Sequence, residues 1–211
     1  MTIINSSECQ LRNLLTKKQF DRLIQRFNLE LFQFKCSSKT VFLDREAMLR
    51  TRFPIGTMLY SLRVEKFRPL FLKIVEEKES TVYKDYFYDS EYDELLENGR
   101  LPSADHSVVA LKLQSIGIKE PLEYAGEIRE ESAEISLCVD IPAGVKDTKV
   151  YLENTSFPGG ATEYEIVISY RKDKSGAESL LDKILSENGI DRKSVAPKME
   201  TFFNILDSHK K

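Results

Sequence analysis

The sequence has little of the material on which several common sites depend. It contains no Trp, two His and three Cys, and the cysteines lie far apart with no Cys-x-x-Cys pair. A histidine-based zinc site or a Ser-His-Asp triad therefore has few candidate residues. Neither a Gly-x-x-x-x-Gly-Lys loop nor a Gly-x-Gly-x-x-Gly turn occurs. The phosphate-binding loops of the familiar nucleotide folds are thus excluded.

Long apolar runs and a strong net charge are also missing. No stretch of about 18 apolar residues is present, and the first residues lack the basic-then-apolar order of a signal peptide. The net charge of −3 does not favour a nucleic-acid or membrane-surface partner. Cys9, Cys36 and Cys138 predict buried free thiols in a reducing compartment. We therefore expect a cytoplasmic protein, monomeric or homodimeric, with no membrane and no nucleic-acid partner.

Core-forming residues are plentiful, because 41% of the sequence is apolar, with 12 Phe and 9 Tyr. Residues 1–211 are predicted to form a single α+β domain. Two-residue periodicity predicts about eight antiparallel strands, a number that can close a barrel. The strands are predicted at 7–15, 58–67, 70–76, 81–88, 132–141, 148–154 and 162–170, with a weaker one between 40 and 50.

Helices are predicted between and after these strands. The first follows a capping box formed by Thr16 and Gln19 and carries an apolar stripe that begins at Phe20. Further helices are predicted at 90–98, at 103–116, from 175 to a stop at Asn188-Gly189, and at 198–209. Pro158-Gly159-Gly160 predicts the turn that joins the last two strands.

Polar and charged residues recur on one face of most strands. They are Glu8, Gln10 and Arg12; Ser61, Arg63 and Glu65; Lys73; Ser132, Glu134 and Ser136; Lys149, Tyr151 and Glu153; and Glu163 and Glu165, followed by Val167. One interpretation is a sheet whose polar face lies in water, which is normal for antiparallel sheets. The other is an enclosed polar cavity that holds a polyphosphate with cations and Mg²⁺ or Mn²⁺ with carboxylates. Periodicity alone does not separate the two.

A resemblance favours the second interpretation. The opening Glu8-Cys9-Gln10-Leu11-Arg12 resembles the Glu-x-Glu-x-Lys strand of the CYTH family, the triphosphate tunnel metalloenzymes that include class IV adenylate cyclases and thiamine triphosphatase. Ser61-Leu62-Arg63-Val64-Glu65 resembles the family's Leu-Arg-x-Arg strand. Later matches, in family order, are Lys73, Leu152-Glu153, Tyr164-Glu165-Ile166-Val167 and Pro197-Lys198-Met199. The ordered set spans nearly the whole chain.

The resemblance implies an eight-stranded antiparallel β-barrel, a triphosphate tunnel with helices packed on the outside. Arg12, Arg63, Lys73 and Lys198 would bind phosphate oxygens. Glu8, Glu153 and Glu165 would bind Mg²⁺ or Mn²⁺, and Glu165 and Lys73 would be the catalytic residues. The ligand would be a triphosphate or another phosphorylated small molecule or polyphosphate.

Four positions depart from the family pattern. Gln10 and Val167 replace carboxylates, Glu65 replaces an Arg, and Ser132 stands where an Arg is usual. Glu163 lies one step earlier on the same face as Val167. A charge-assisted hydrogen bond contributes about 1.5–3 kcal/mol, so these losses predict weakened phosphate binding and weakened catalysis.

Three functions follow from these residues. The first is a metal-dependent phosphohydrolase, a triphosphatase with weakened catalysis, which we favour over an adenylate cyclase. The second is a non-catalytic module that binds a phosphorylated ligand in a degenerate site. The third is a scaffold that uses the aromatic run Tyr83-x-x-Tyr86-Phe87-Tyr88, although such rings are more typical of core and cross-strand packing.

Overall fold

The computed structural model describes residues 9–43, 59–65, 70–76, 79–86, 88–118, 120–136 and 148–208. For the strands at 59–65 and 70–76 it describes the backbone alone. The described residues form one antiparallel sheet with helices on both of its faces. The predicted α+β class is confirmed.

Eight strands make up the sheet. They are β1 (Cys9–Leu15), β2 (Lys35–Leu43), β3 (Leu59–Glu65), β4 (Leu70–Glu76), β5 (Glu79–Asp85), β6 (Glu123–Glu134), β7 (Lys149–Ser156) and β8 (Thr162–Tyr170). Their order is β1-β8-β7-β6-β2-β3-β4-β5, and every neighbouring pair is antiparallel. Among the described residues no pairing joins the outer strands β1 and β5. The antiparallel strands are confirmed, whereas the closed barrel stays a prediction.

Five helices accompany the sheet in the described part of the chain. They are α1 (Lys17–Arg26), α2 (Asp89–Asn98), α3 (Val108–Ser115), α4 (Lys174–Glu187) and α5 (Lys198–Ser208). The predicted capping box is confirmed, because the Thr16 hydroxyl accepts from the Gln19 amide and the Gln19 side chain accepts from the Thr16 amide. Gly99 ends α2 in the left-handed conformation that favours glycine.

One face of the sheet is apolar and packs against α1 and α4. Alternate residues of β1, β7 and β8 point to this face and meet the apolar stripes of both helices. The buried cluster includes Leu15, Phe20, Leu23, Val150, Leu152, Ile166, Ile168, Leu181, Ile184 and Leu185. The apolar cluster therefore fixes α1 and α4 on the face opposite the charged residues described below.

The last helix lies on the other face. Phe202 of α5 is fully buried and packs in a second apolar cluster that also contains Val41 of β2 and Ile128 of β6. A Cβ on Gly126, whose φ is 147°, would come within 3.2 Å of the Phe202 ring, so the helix approaches the β6 backbone closely. α5 therefore lies on the face opposite α1 and α4, and the expected packing of helices on the outside of a barrel stays a prediction.

Several predicted boundaries were wrong. The strand predicted at 132–141 is β6, which begins at Glu123, and residues 137–141 lie outside the described residues. Four charged residues in the run 127–131 masked its alternation, because both of its faces carry polar groups. The strand predicted between 40 and 50 begins earlier, at Lys35. Its residues after Leu43 are likewise outside the described part.

Some predicted burial was also wrong. Cys9 and Cys36 are exposed free thiols rather than buried ones, and Cys138 lies outside the described residues. Tyr83 packs against the second apolar cluster, as cross-strand packing predicts. Tyr86 and Tyr88 are instead exposed, because β5 ends at Asp85.

No helix among the described residues has the length and apolar character needed to cross a membrane.

Candidate functional site

The candidate site is the face of β1, β6, β7 and β8 opposite α1 and α4. We call it the charged face and define it by Arg12, Glu130, Glu153, Glu163 and Glu165. The strand register assigns these residues to one face, because directly opposed residues in antiparallel strands share a face. Glu153 is opposite Glu165 and Glu163 is opposite Thr155, which in turn is opposite Glu130.

Arg12 and Glu165 form the most buried ion pair of the charged face. Arg12 Nη2 donates to Glu165 Oε1 at 2.6 Å and to Oε2 at 2.7 Å, and Arg12 Nε donates to Oε2 at 2.9 Å. The Glu165 side chain is 0% exposed and that of Arg12 is 17% exposed. The planar guanidinium matches the carboxylate in the forked geometry typical of strong charge-assisted pairs. Arg12 is therefore already occupied by an internal anion.

The environment of Glu165 has opposing effects on its protonation. Burial raises the pKa of the Glu165 carboxyl, whereas Arg12 and the more distant charge of Lys198 lower it. The net pKa lies above its usual value, since burial dominates. The charge of Glu165 thus depends on keeping a cation nearby.

Lys198 supplies the second cation, from the first residue of α5. Its Nζ donates to Glu130 Oε1 and to Glu153 Oε2, each at 2.8 Å, and all three side chains are less than 20% exposed. Burial lowers the pKa of Lys198, but the charges and hydrogen bonds of both carboxylates outweigh it, so the net pKa is raised. Lys198 therefore remains an ammonium ion that fastens α5 to β6 and β7.

A further pair of polar residues lies one step along the charged face. Glu163 Oε1 accepts from Thr201 Oγ1 of α5 at 3.1 Å. Glu163 Oε2 and Thr155 Oγ1, which sit on opposed residues, are buried without a hydrogen-bond partner in the described structure. Buried polar atoms of this kind normally bind water or a ligand. α5 thus contacts the charged face at two neighbouring positions.

Four of the predicted site residues come together. Arg12, Glu153, Glu165 and Lys198 lie in two adjacent ion-pair clusters, as the cross-strand pairing of Glu153 with Glu165 requires. The structure places Arg63 in β3 opposite Phe71, and Lys73 in β4 opposite Ser61, and describes their backbone only. Glu8 lies outside the described residues.

Sequence analysis missed Glu130. The predicted strand began at Ser132, so the polar residue two positions earlier was not assigned to a strand face. Ser132 does lie opposite Glu153, as a residue of the charged face. The signal that could have found Glu130 is the same alternation, extended from Ser132 toward Glu123 in spite of the charges on the opposite face.

The departures from the family pattern have different structural consequences. Val167 is opposite Arg12 in β1 and is 1% exposed, so an apolar side chain occupies a buried position beside Arg12 and Glu165. Gln10 is the second residue of β1 and is exposed. For Glu65 the structure gives the backbone position in β3, opposite Lys39.

The carboxylate oxygens of the charged face are suitable ligands for a divalent cation, but those of Glu153 and Glu165 are already paired with Lys198 and Arg12. Glu153 and Glu165 offer the carboxylate oxygens that Mg²⁺ and Mn²⁺ prefer. Each of the two, however, accepts hydrogen bonds from a cation. Within the described residues no group of three or more His, Cys, Asp or Glu is arranged to hold a metal ion.

Comparison with known proteins identifies the fold. No family model and no curated protein matches the sequence. Among solved structures, a candidate adenylate cyclase from Bacillus halodurans matches with a TM-score of 0.70 and 21% identity, over 93% of this chain and 97% of that one. HpAC1 from Hippeastrum matches with a TM-score of 0.64 and 19% identity, over 92% and 93% of the two chains.

HpAC1 is described as a candidate adenylyl cyclase with a dominant triphosphatase activity. The PH1819 protein from Pyrococcus horikoshii is more distant, with a TM-score of 0.50 and 15% identity, over 95% and 99% of the two chains. At these identities the likeness concerns the fold alone. The chain has the fold of these two candidate adenylate cyclases, which supports the CYTH-like architecture that the sequence motifs predicted.

Proposed function

We propose that this protein binds a triphosphate, or another small molecule with a phosphate chain, on the charged face and hydrolyses a phosphoanhydride bond. The observation that carries the proposal is the pair of adjacent clusters, Arg12 with Glu165 and Lys198 with Glu130 and Glu153. They bring fixed cations and carboxylates together on one face, which is the combination that a metal-bound phosphate chain requires. The fold shared with a protein described as a triphosphatase supports the same function.

Phosphate binding would proceed by exchange of partners. A phosphate oxygen pair can replace a carboxylate in the fork of Arg12, since guanidinium binds both in the same geometry. Such an exchange conserves the number of charge-assisted hydrogen bonds at Arg12 but leaves Glu165 buried without its partner. An uncompensated buried charge costs about 3–5 kcal/mol. Tight binding therefore requires a new positive partner for Glu165.

Mg²⁺ or Mn²⁺ is the proposed new partner. Glu153 and Glu165, with Glu8 as the third predicted ligand, would hold the cation once their own partners have turned to phosphate. The metal would supply charge neutralisation of the phosphate chain and activation of water. Phosphate and metal are then expected to bind together, because each releases the groups that the other needs.

The remaining predicted residues complete the proposal. Arg63 and Lys73 would bind the phosphate chain from β3 and β4, with Lys73 next to the bond that is cleaved. Glu165 would orient the attacking water. The charged face would form the inside of a closed eight-stranded barrel, which excludes bulk water and strengthens each of these electrostatic contacts.

The direct test is phosphate release from tripolyphosphate with Mg²⁺ and with Mn²⁺. The intact protein should release phosphate, and Glu165→Gln and Lys73→Ala should each reduce the rate by at least about 100-fold, as expected for groups that act in the transition state. Glu131→Gln is the matched control, because Glu131 lies on the opposite face of β6 and pairs with the exposed Arg129. Equal losses in the control and in Glu165→Gln would contradict the proposed site.

A second function has its own observation. Val167 occupies a buried position beside Arg12 where a carboxylate would serve the metal, and Arg12 and Lys198 are already paired with carboxylates. These features favour a binding module that retains a phosphorylated ligand without cleaving it. Tripolyphosphate would then raise the melting temperature saturably with no phosphate released. Turnover above the rate of Glu165→Gln would rule this alternative out.

A further inference from the structure

A buried amide lies directly behind the charged face. Asn13 follows Arg12 in β1 and points to the apolar face, where Leu11 and Leu15 belong to the cluster covered by α1 and α4. Its side chain is 0% exposed. An amide in such surroundings costs about 1–3 kcal/mol unless its hydrogen bonds are made. Apolar packing alone therefore does not explain why an Asn occupies this position.

The partners of Asn13 are backbone groups of a distant segment. Asn13 Oδ1 accepts from the Lys193 amide at 2.6 Å, and Asn13 Nδ2 donates to the Asp191 carbonyl at 3.3 Å. A third bond, from Nδ2 to the Leu14 carbonyl at 3.1 Å, holds the side chain to its own strand. Asn13 therefore binds both a donor and an acceptor of the chain between α4 and α5.

The segment that Asn13 binds leads into Lys198. Residues 191–197 have no regular secondary structure, so their path depends on contacts with the rest of the molecule. The next fixed point is the Ala196 carbonyl, which accepts from Arg12 Nη1 at 3.2 Å. Lys198 then begins α5 and places its ammonium between Glu130 and Glu153. Consecutive residues of β1 thus hold two points of the chain just before the second cation.

We propose that Asn13 is a positioning residue for the charged face: its amide fixes residues 191–193 and so holds Lys198 between Glu130 and Glu153. Ile190 and Phe202 anchor the two ends of the segment in different apolar clusters. Burial of Ile190 and Phe202 holds both ends of the segment against the apolar clusters. The directional hydrogen bonds to Asn13 fix the path of the backbone between these two residues. The proposal rests on the proposed function only where it makes Lys198 a ligand-binding group.

The first experiment observes Lys198 directly. In protein labelled with ¹⁵N-lysine, an ammonium held by two carboxylates exchanges its protons slowly and gives a separate ¹H–¹⁵N signal, which Lys198→Arg assigns by its loss. Asn13→Leu should accelerate the exchange of the Lys198 protons by at least about tenfold. Leucine is chosen because an apolar side chain suits this cluster and makes neither of the two hydrogen bonds to residues 191–193.

A matched control comes from the same face of the sheet. Asn154 of β7 lies on the helix-covered face and donates to Glu131, but makes no hydrogen bond to residues 191–193 in the described structure. Asn154→Leu should leave the Lys198 signal unchanged. Unchanged exchange in Asn13→Leu as well, with an unfolding free energy near that of the wild type, would overturn the proposal. Asn13→Ser provides a second variant should Asn13→Leu fail to fold, with the same two outcomes.

Tripolyphosphate binding separates this inference from the proposed function. If the wild type binds tripolyphosphate, Asn13→Leu should weaken the affinity by about three- to tenfold, an effect expected for a displaced rather than a deleted cation. A wild type that does not bind tripolyphosphate would contradict the proposed function alone. The exchange rate of Lys198 would still decide whether Asn13 positions it.

Discussion

The two ion-pair clusters of the charged face differ in what they join. Arg12 and Glu165 come from β1 and β8, strands that are already hydrogen-bonded to each other. Lys198 instead joins α5 to β6 and β7, and no backbone ladder connects this helix to either strand. Removal of Arg12 therefore leaves β1 and β8 hydrogen-bonded to each other, but leaves the buried carboxylate of Glu165 without its partner. Loss of the second cluster leaves two partly hydrated carboxylates and releases the start of a helix. Breaking an ion pair is thus expected to destabilise the protein locally at Arg12 and Glu165, but to release a packed helix at Lys198.

The largest effect is expected for Arg12→Met. Glu165 is fully buried, so its charge would remain without a partner, and the unfolding free energy should fall by about 3–5 kcal/mol in urea denaturation. Arg12→Met combined with Glu165→Leu should recover most of the loss, since two apolar side chains replace the pair. A single-variant loss below about 1 kcal/mol would mean that Glu165 is hydrated or protonated in the native protein.

An intermediate effect is expected for Lys198→Met. Glu130 and Glu153 would lose a shared donor and repel each other, which should lower the unfolding free energy by about 1.5–3 kcal/mol. Lys149→Met is the matched control, because Lys149 pairs with Glu134 at 3.1 Å with both side chains about half exposed. Exposed pairs contribute about 0–1 kcal/mol. Equal losses for the two lysines would show that the burial of Lys198 has no energetic role.

The smallest effect is a pH dependence of the Lys198 contribution. The folded pKa of Lys198 is raised above its value of 10.5 in the unfolded chain, so the folded state holds the proton more tightly. Its stabilising contribution is then complete below pH 10.5 and is lost as the pH rises through the folded pKa. The difference in unfolding free energy between the wild type and Lys198→Met should accordingly shrink at alkaline pH. A difference that grows there would have the wrong sign.

Much of this organisation could be predicted from alternation along single strands. Arg12 in β1 and Glu153 and Glu165 in β7 and β8 lie on strands whose opposite faces are mainly apolar, so periodicity assigned their faces correctly. Glu130 was missed because β6 is polar on both sides through 127–131.

The contacts between elements could not be predicted in the same way. That Lys198 reaches Glu130 and Glu153, and that Asn13 binds residues 191–193, depends on where α5 returns to the sheet. Neither local periodicity nor propensity contains that information, because the two partners of each contact lie far apart in the sequence. The family resemblance placed Lys198 at the site, but as a phosphate ligand rather than as the partner of two carboxylates.

Calorimetric titration of tripolyphosphate in the presence of Mg²⁺ tests the central claim most directly. The account predicts saturable binding by the wild type and a loss of affinity of at least about tenfold in Lys198→Met, since a single charge-assisted hydrogen bond contributes about 1.5–3 kcal/mol. It predicts no change in Lys174→Met, because Lys174 pairs with Glu178 within α4, on the opposite face of the sheet. No binding by the wild type, or equal binding by both lysine variants, would contradict the claim that the charged face receives a phosphate chain.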